Sequence, residues 1–346
     1  MSSGERGSTA EESLAAAARA GIHCLALPTP FLVGRVNCYL IEDRPLTLVD
    51  TGPNSGKALD ELASALAAHG HSIADLELIV ITHQHMDHLG LLEILARRSG
   101  AEVAALDLLA PYLENFSVSA AADDEFAHRV MLGHGVPPDL ATALGSVGAA
   151  FRAFGSSGTV TRPLRDGDEL VLRDRSLRVH HRPGHSPSDT VFWDQQRAML
   201  IGGDHLLARI SSNPLISRPL SPTADDGPRP QALVDYIDSL RATRELAVDL
   251  VLPGHGEPIS DHVSLIDERF RMHDRRARKL LRMLSDGPQT AYELALQMWG
   301  NVAVTQAFLT ISEVLGHLDL LVRDGLVDEH REAELTRFRA TGAEPS

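Results

Sequence analysis

The feature that most constrains this chain is Thr82-His83-Gln84-His85-Met86-Asp87-His88, set directly behind the apolar run Leu78-Ile79-Val80-Ile81. A short apolar run of that kind reads as a buried strand. Residues just past a strand end lie in a turn, where neighbouring side chains converge on a common exposed space. A lone surface histidine would mean little. Three imidazoles and a carboxylate crowded there make a metal-ligand set: nitrogen and oxygen donors together suit zinc, and also iron or manganese.

Three later segments repeat the strand-end context. Pro183-Gly184-His185-Ser186 places a histidine after a strand and a glycine turn. Gly202-Gly203-Asp204 and Pro253-Gly254-His255-Gly256 do the same for an aspartate and another histidine. Each alone is a weak signal, and their shared position makes them support one another. His205 follows Asp204 directly. On a continuing strand it faces the opposite way, which favours a structural role; if the strand ends there, it becomes a substrate contact.

Strand and helix patterns alternate around these motifs. Val36–Ile41 and Leu46–Asp50 read as strands, residues 55–69 as a helix with Leu59, Leu62 and Leu66 on one face, and 89–98 as a second helix. That alternation argues for an α/β layer architecture. Residues from about 107 to 157 interrupt it with a mainly helical insertion, read equally as a cover over a site or as structural packing. Short strands return from Val160 to Asp204. A Pro- and Ser-rich loop follows at about 206–230, then a helix at about 231–246 and the strand Leu250-Val251-Leu252. Past Ile259 the pattern becomes a long helix, two shorter helices and a strand-like end at Gly325-Leu326-Val327, which reads as a linker helix and a winged-helix-like module. The expected division is a flexible tail over 1–21, a catalytic domain over 22–260 and the helical module over 261–346.

Composition narrows the setting. The 346 residues are 43% hydrophobic and 23% charged, enough to bury a core, and no run approaches a membrane span. The N-terminus lacks a basic start followed by an apolar stretch, so the expected location is cytoplasmic. Net charge is −15, which disfavours nucleic acid and phospholipid partners unless a local basic patch overrides it. One helix does crowd Arg269, Arg271, Arg275, Arg276, Arg278, Lys279 and Arg282; the expected reading is a solvated face paired with Asp267, Glu268 and Asp274. Cys24 and Cys38 fall on neighbouring strands, where a bridge has room to form, but two reduced thiols are the more ordinary reading.

Taken together, Val49-Asp50-Thr51-Gly52, the His-x-His-x-Asp-His core and the three later motifs, in that order, resemble the metallo-β-lactamase superfamily over roughly residues 22–260. The resemblance implies an αβ/βα sandwich of two sheets with helices outside. It implies that His83, His85 and His185 hold one divalent ion, that Asp87, His88 and His255 hold a second, and that Asp204 bridges the two. Asp50 would orient a ligand histidine. Zinc is the expected metal, with iron or manganese as alternatives. The end of the chain is similar to the winged helix that follows this fold in glyoxalase II-like and LACTB-like hydrolases, with homodimerisation as its associated expectation.

The chemistry implied is hydrolysis of a small-molecule substrate by a metal-bridging hydroxide, with Asp87 and Asp204 as the catalytic carboxylates. No Gly-x-Ser-x-Gly elbow competes with it. Departures from the family's branches narrow the substrate. Asp204 points away from true β-lactamases, His85 from flavodiiron proteins, which carry Glu there, and Leu207 from acyl-homoserine lactonases, which place Tyr there. A thioester, ester or lactone bond is the expected target. A phosphodiester or RNA, read through the basic helix, is the alternative, and a metal-binding regulatory protein without turnover is the alternative of another class.

Overall fold

The computed structural model describes residues 9–220 and 229–343. Residues 1–8 of the expected tail, 221–228 of the expected loop and 344–346 lie outside the described residues. Over Ala10–Arg19 the expected flexible tail is instead helix α1. Thr9 and Glu12 form a reciprocal capping box at its start, and Ala17 is buried beneath it. A capped, alanine-rich segment with one face against a sheet holds together where an uncapped terminus frays.

Chain order then runs β1 (Ile22–Leu27), β2 (Val36–Ile41), β3 (Thr47–Val49), α2 (Gly56–Ala68), β4 (Leu78–Val80), α3 (Met86–Leu89), α4 (Leu92–Ser99) and β5 (Glu102–Leu106). Helices α5 (Ala110–Glu114), α6 (Phe116–Gly133) and α7 (Pro138–Phe151) form the insertion before β6 (Arg162–Leu164). Strands β7 (Glu169–Val171), β8 (Ser176–His181), β9 (Thr190–Asp194) and β10 (Met199–Gly203) precede α8 (Ala232–Arg244) and β11 (Leu250–Pro253). The rest is α9 (His262–Met283), α10 (Ala291–Trp299), α11 (Asn301–Thr305), α12 (Ala307–Arg323) and the hairpin β12 (Val327–Glu332) and β13 (Leu335–Ala340).

Two sheets form the centre, ordered β1-β2-β3-β4-β5-β6 and β11-β10-β9-β8-β7. Central strands such as β4 and β11 carry unbroken apolar runs because both of their faces are covered. Adjacent residues therefore serve opposite cores. Ile41, Val49, Val80, Phe192, Ile201 and Leu252 fill the space between the sheets. Leu40, Leu48 and Ile79 face out onto α2 and α4, packing with Leu62, Leu66 and Leu95. On the far side Val191, Leu200 and Val251 meet Tyr236 and Leu240 of α8 and Ile266 of α9.

The same alternation separates the two cysteines. Cys38 belongs to the outer core and Cys24 lies against the inner one, so they point to opposite faces of the sheet and cannot bridge; both are free.

The insertion packs on the end of the chain. Met131, Val136 and Ala141 share one core with Leu280, Leu294, Ile311, Leu315 and Phe338. Its far end touches the sandwich, where Asn54 N–H donates to Phe154 O at 2.7 Å and Phe31 packs on Phe151 and Phe154. Among the described residues no helix is long and apolar enough to cross a membrane.

Candidate metal centre

All the strand-end motifs open at one edge of the sandwich. Strand β4 delivers Thr82 to His88, β10 delivers Asp204 and β11 delivers His255, while His185 comes from the turn between β8 and β9. Backbone bonds stitch these ends together: Gly254 N–H donates to Gly203 O at 2.6 Å, and Asn37 N–H to Gly254 O at 2.7 Å. Gly254 is required by close approach, since a Cβ there would collide with an Asp204 oxygen and the His88 ring.

Three sets of donor atoms result, each within 4.8 Å of one another: His83, His85 and His185; His83, His88 and Asp204; Asp87, His88 and His255. His85 Nδ1 stands 3.0 Å from His83 Nε2 and 2.9 Å from His185 Nε2. His255 Nε2 stands 3.2 Å from Asp87 Oδ2 and 3.5 Å from Asp204 Oδ2, and His88 Nε2 stands 3.4 Å from Asp204 Oδ1. Asp204 also reaches the first group, with Oδ2 3.5 Å from His185 Nε2. Geometry thus brings together His83, His85, Asp87, His88, His185, Asp204 and His255, with Asp204 between the two groups.

The far side of most rings is already committed. Asp50 Oδ2 accepts from His88 Nδ1 and from Thr82 Oγ1, both at 2.8 Å, while Oδ1 accepts from Thr82 N–H at 2.9 Å. Having donated to Asp50, the Thr82 hydroxyl is left to accept from His83 Nδ1 at 2.9 Å. His185 Nδ1 donates to the Asn213 carbonyl at 3.1 Å and His255 Nδ1 to the Arg35 carbonyl at 2.8 Å. A ring nitrogen that donates fixes the tautomer, so the opposite nitrogen presents a lone pair. Asp50 does this from a left-handed backbone position (φ 59°), a strained conformation that its three bonds hold in place.

These residues fit a divalent cation. His88 Nε2, His255 Nε2 and Asp204 Oδ1 are buried without a hydrogen-bond partner, a costly state that a cation relieves. Donors 2.0–2.1 Å from a tetrahedral zinc stand roughly 3.3–3.4 Å apart, close to the 3.2–3.5 Å separations around Asp204 and His255. The electrostatics are divided. Burial holds His83 well below the usual histidine range and His85 at about 3. For His88, burial is outweighed by Asp204, Asp50 and Asp87, which raise it well above that range. Asp204 is likewise held far down by His88 and His255 against its own burial.

His205 is corrected as a substrate contact. It is buried at 1% exposure, and its Nε2 meets Thr243 Oγ1 of α8 at 2.8 Å, away from the cluster. Thr82 and the two carbonyls escaped the sequence reading. Thr82 sat inside the motif and was readable as a hydrogen-bonding relay, whereas a backbone carbonyl carries no residue-type signal. The supports of this edge extend into the helical layer. Arg269 of α9 donates to the carbonyls of Leu207, Ala208 and Ile210 at 3.0–3.2 Å, and Asn213 Nδ2 donates to Leu309 O of α12 at 3.3 Å.

Comparison with known proteins identifies the family. The chain is 35% identical to the probable metallo-hydrolase YqjP of Bacillus subtilis (strain 168), over 91% of this chain and 96% of that protein. It is 29% identical to an acyl-coenzyme A thioesterase of Bos taurus, over 64% of this chain and 73% of that protein. A solved metallo-beta-lactamase family protein of Thermus thermophilus superposes with a TM-score of 0.76 at 28% identity, covering 92% of this chain and 98% of that one. With the Metallo-beta-lactamase superfamily model matching residues 32–255, the chain belongs to that superfamily.

Proposed function

We propose that this metallo-hydrolase cleaves an acyl bond, a thioester first and an ester or lactone next, at a binuclear centre held by His83, His85, His185, Asp87, His88, His255 and Asp204. The observation that carries the reading is the convergence of these donors, with outward nitrogens committed and inward lone pairs facing one another. When bound there, two divalent ions lower the pKa of a water and polarise the substrate's carbonyl oxygen. Asp87 and Asp204 supply the carboxylates beside the reacting atoms, and Asp87 is the acceptor for the proton that hydrolysis releases. Asp50, through Thr82 and His88, holds the rings still while this happens.

Thioester preference has two supports. One is the similarity to the acyl-coenzyme A thioesterase. The other is the apolar loop before Arg35, where Leu32 is 95% exposed and Phe31 packs with Phe151 and Phe154 of the insertion. Such a lip suits an apolar acyl chain better than a phosphodiester. Nucleic acid stays outside the proposal because the net charge is −15 and three of the helix's seven basic residues are engaged: Arg269 holds loop carbonyls, Arg276 pairs with Glu313 and Arg278 with Asp274. The test is a turnover screen of the zinc-loaded protein against acyl-coenzyme A thioesters, lactones and bis-p-nitrophenyl phosphate. Thioesters are expected to turn over fastest; a faster phosphodiester would overturn the reading.

A further inference from the structure

A second histidine cluster lies at the opposite end of β2. Val36, at one end of this strand, bridges to His255 of the metal centre. Glu42 follows its other end, six residues on, so a strand rise of about 3.3 Å per residue puts it roughly 20 Å away. Here His23 Nε2 meets Glu42 Oε2 at 2.9 Å, and His71 Nε2 lies 3.6 Å from Glu42 Oε1. The His69 ring sits 4.1 Å from the His23 ring, centroid to centroid. Donor atoms of His23, Glu42 and His69 all fall within 4.8 Å of one another.

Local structure explains why these groups meet. His23 is on the face of β1 that looks toward α2, the same face as Leu25 and Leu27. His69 caps the C-terminus of α2, Gly70 takes a left-handed φ of 78°, and His71 N–H bonds back to Leu66 O at 3.0 Å. This is a Schellman turn, and it brings the histidines on both sides of Gly70 to the strand ends. The C-terminal end of a helix carries partial negative charge, and the last turn of α2 has no basic residue to answer it. Glu42 adds a full charge. Burial alone would raise its pKa, but His23, His69 and His71 hold it below the usual carboxylate range.

We propose that His23, Glu42 and His69 form a separate site for one divalent transition metal, with His71 beside Glu42. Two imidazoles and a carboxylate are a donor set suited to zinc. An ion there would clamp the β1–β2 edge to the end of α2, far from the hydrolytic centre.

The test is zinc stoichiometry on the full chain, stripped with chelator, reloaded and passed through a desalting column. The expected result is one more zinc per chain in wild type than in His69→Ala/His71→Ala. Glu42→Gln, a gentler change, is expected to lose the same single equivalent. In a His255→Ala/Asp204→Ala background, added zinc should still raise the Tm, and adding His69→Ala should abolish that rise. Equal zinc content in wild type and both cluster variants overturns the proposal, as does a zinc-induced Tm rise in that background that survives His69→Ala. Hydrolytic activity retained in the cluster variants confirms that they fold.

Discussion

Among the described residues, the candidate metal centre and the packing between α9 and α12 both bring buried histidines together with a carboxylate, and the two differ in what surrounds that carboxylate. At the metal centre, outer ring nitrogens are committed and inner ones are left facing one another. Between α9 and α12, His273, Glu313 and His317 also gather within ligand distance. In both places ring nitrogens approach one another, His273 Nδ1 and His317 Nε2 at 3.1 Å, but His317 Nδ1 donates to Glu313 O at 2.6 Å, and the carboxylates are answered differently: Asp204 and Asp87 face only imidazoles. Arg276 claims the Glu313 carboxylate. What answers the carboxylate, an arginine or imidazoles alone, separates the two groups more than the residue types they gather.

The sharpest way to break this comparison is to remove inward donors. Asp204→Ala or His85→Ala is expected to cost more than 100-fold in turnover, beyond the roughly 10–100-fold typical of losing a group that only orients a ligand. Elemental analysis should show metal lost with the activity; full activity in both variants would refute the assignment. Asp50→Asn should fall within that 10–100-fold range, as measured by zinc affinity, because it loosens His88 and, through Thr82, His83.

The α9–α12 pair should answer differently. His273→Leu leaves His317 Nε2 buried and unpartnered, at an expected cost of about 1–3 kcal/mol. Urea unfolding should show this while zinc content stays at the wild-type level. His273 of this pair and His134, at the C-terminal end of α6, predict a pH dependence. Burial holds His273 and His134 near 3 in the folded chain, against about 6.5 unfolded. As pH falls through about 6.5, the unfolded state takes up protons that the folded state refuses. Stability present above that pH is therefore lost toward pH 3, at up to about 1.4 kcal/mol per pH unit for each group. Urea midpoints across this window should fall less steeply in His273→Leu. The smallest effect is expected on the exposed helix face: Arg275→Ala should change stability by less than about 0.5 kcal/mol and leave RNA binding at its weak background in a filter assay.

Much of the metal centre was legible in sequence because its ligands cluster at strand ends and their types are rare together. The sandwich was legible for a related reason: runs such as Leu78–Ile81 have apolar residues at every position, the mark of a sheet covered on both sides. Other parts carried no such sign. Arg35 and Asn213 act through carbonyls that any residue would supply. The partner of the insertion could not be read, since an apolar helical face does not say which distant helix it meets. The Thr-x-x-Glu spacing at Thr9 and Glu12 is a readable capping box, and it outweighs the general tendency of termini to fray.

One bond chain changes how the helical end of this protein should be regarded. Leu309 of α12 holds Asn213, and Asn213 holds the ring of His185. A segment outside the sandwich thus sets the aim of an imidazole at the candidate metal centre. Trimming the chain after β11 to isolate a minimal hydrolase would therefore loosen His185 rather than discard an appendage. For the same reason, substitutions along α9 and α12 belong with those of the metal centre when variants are sorted by their effect on turnover.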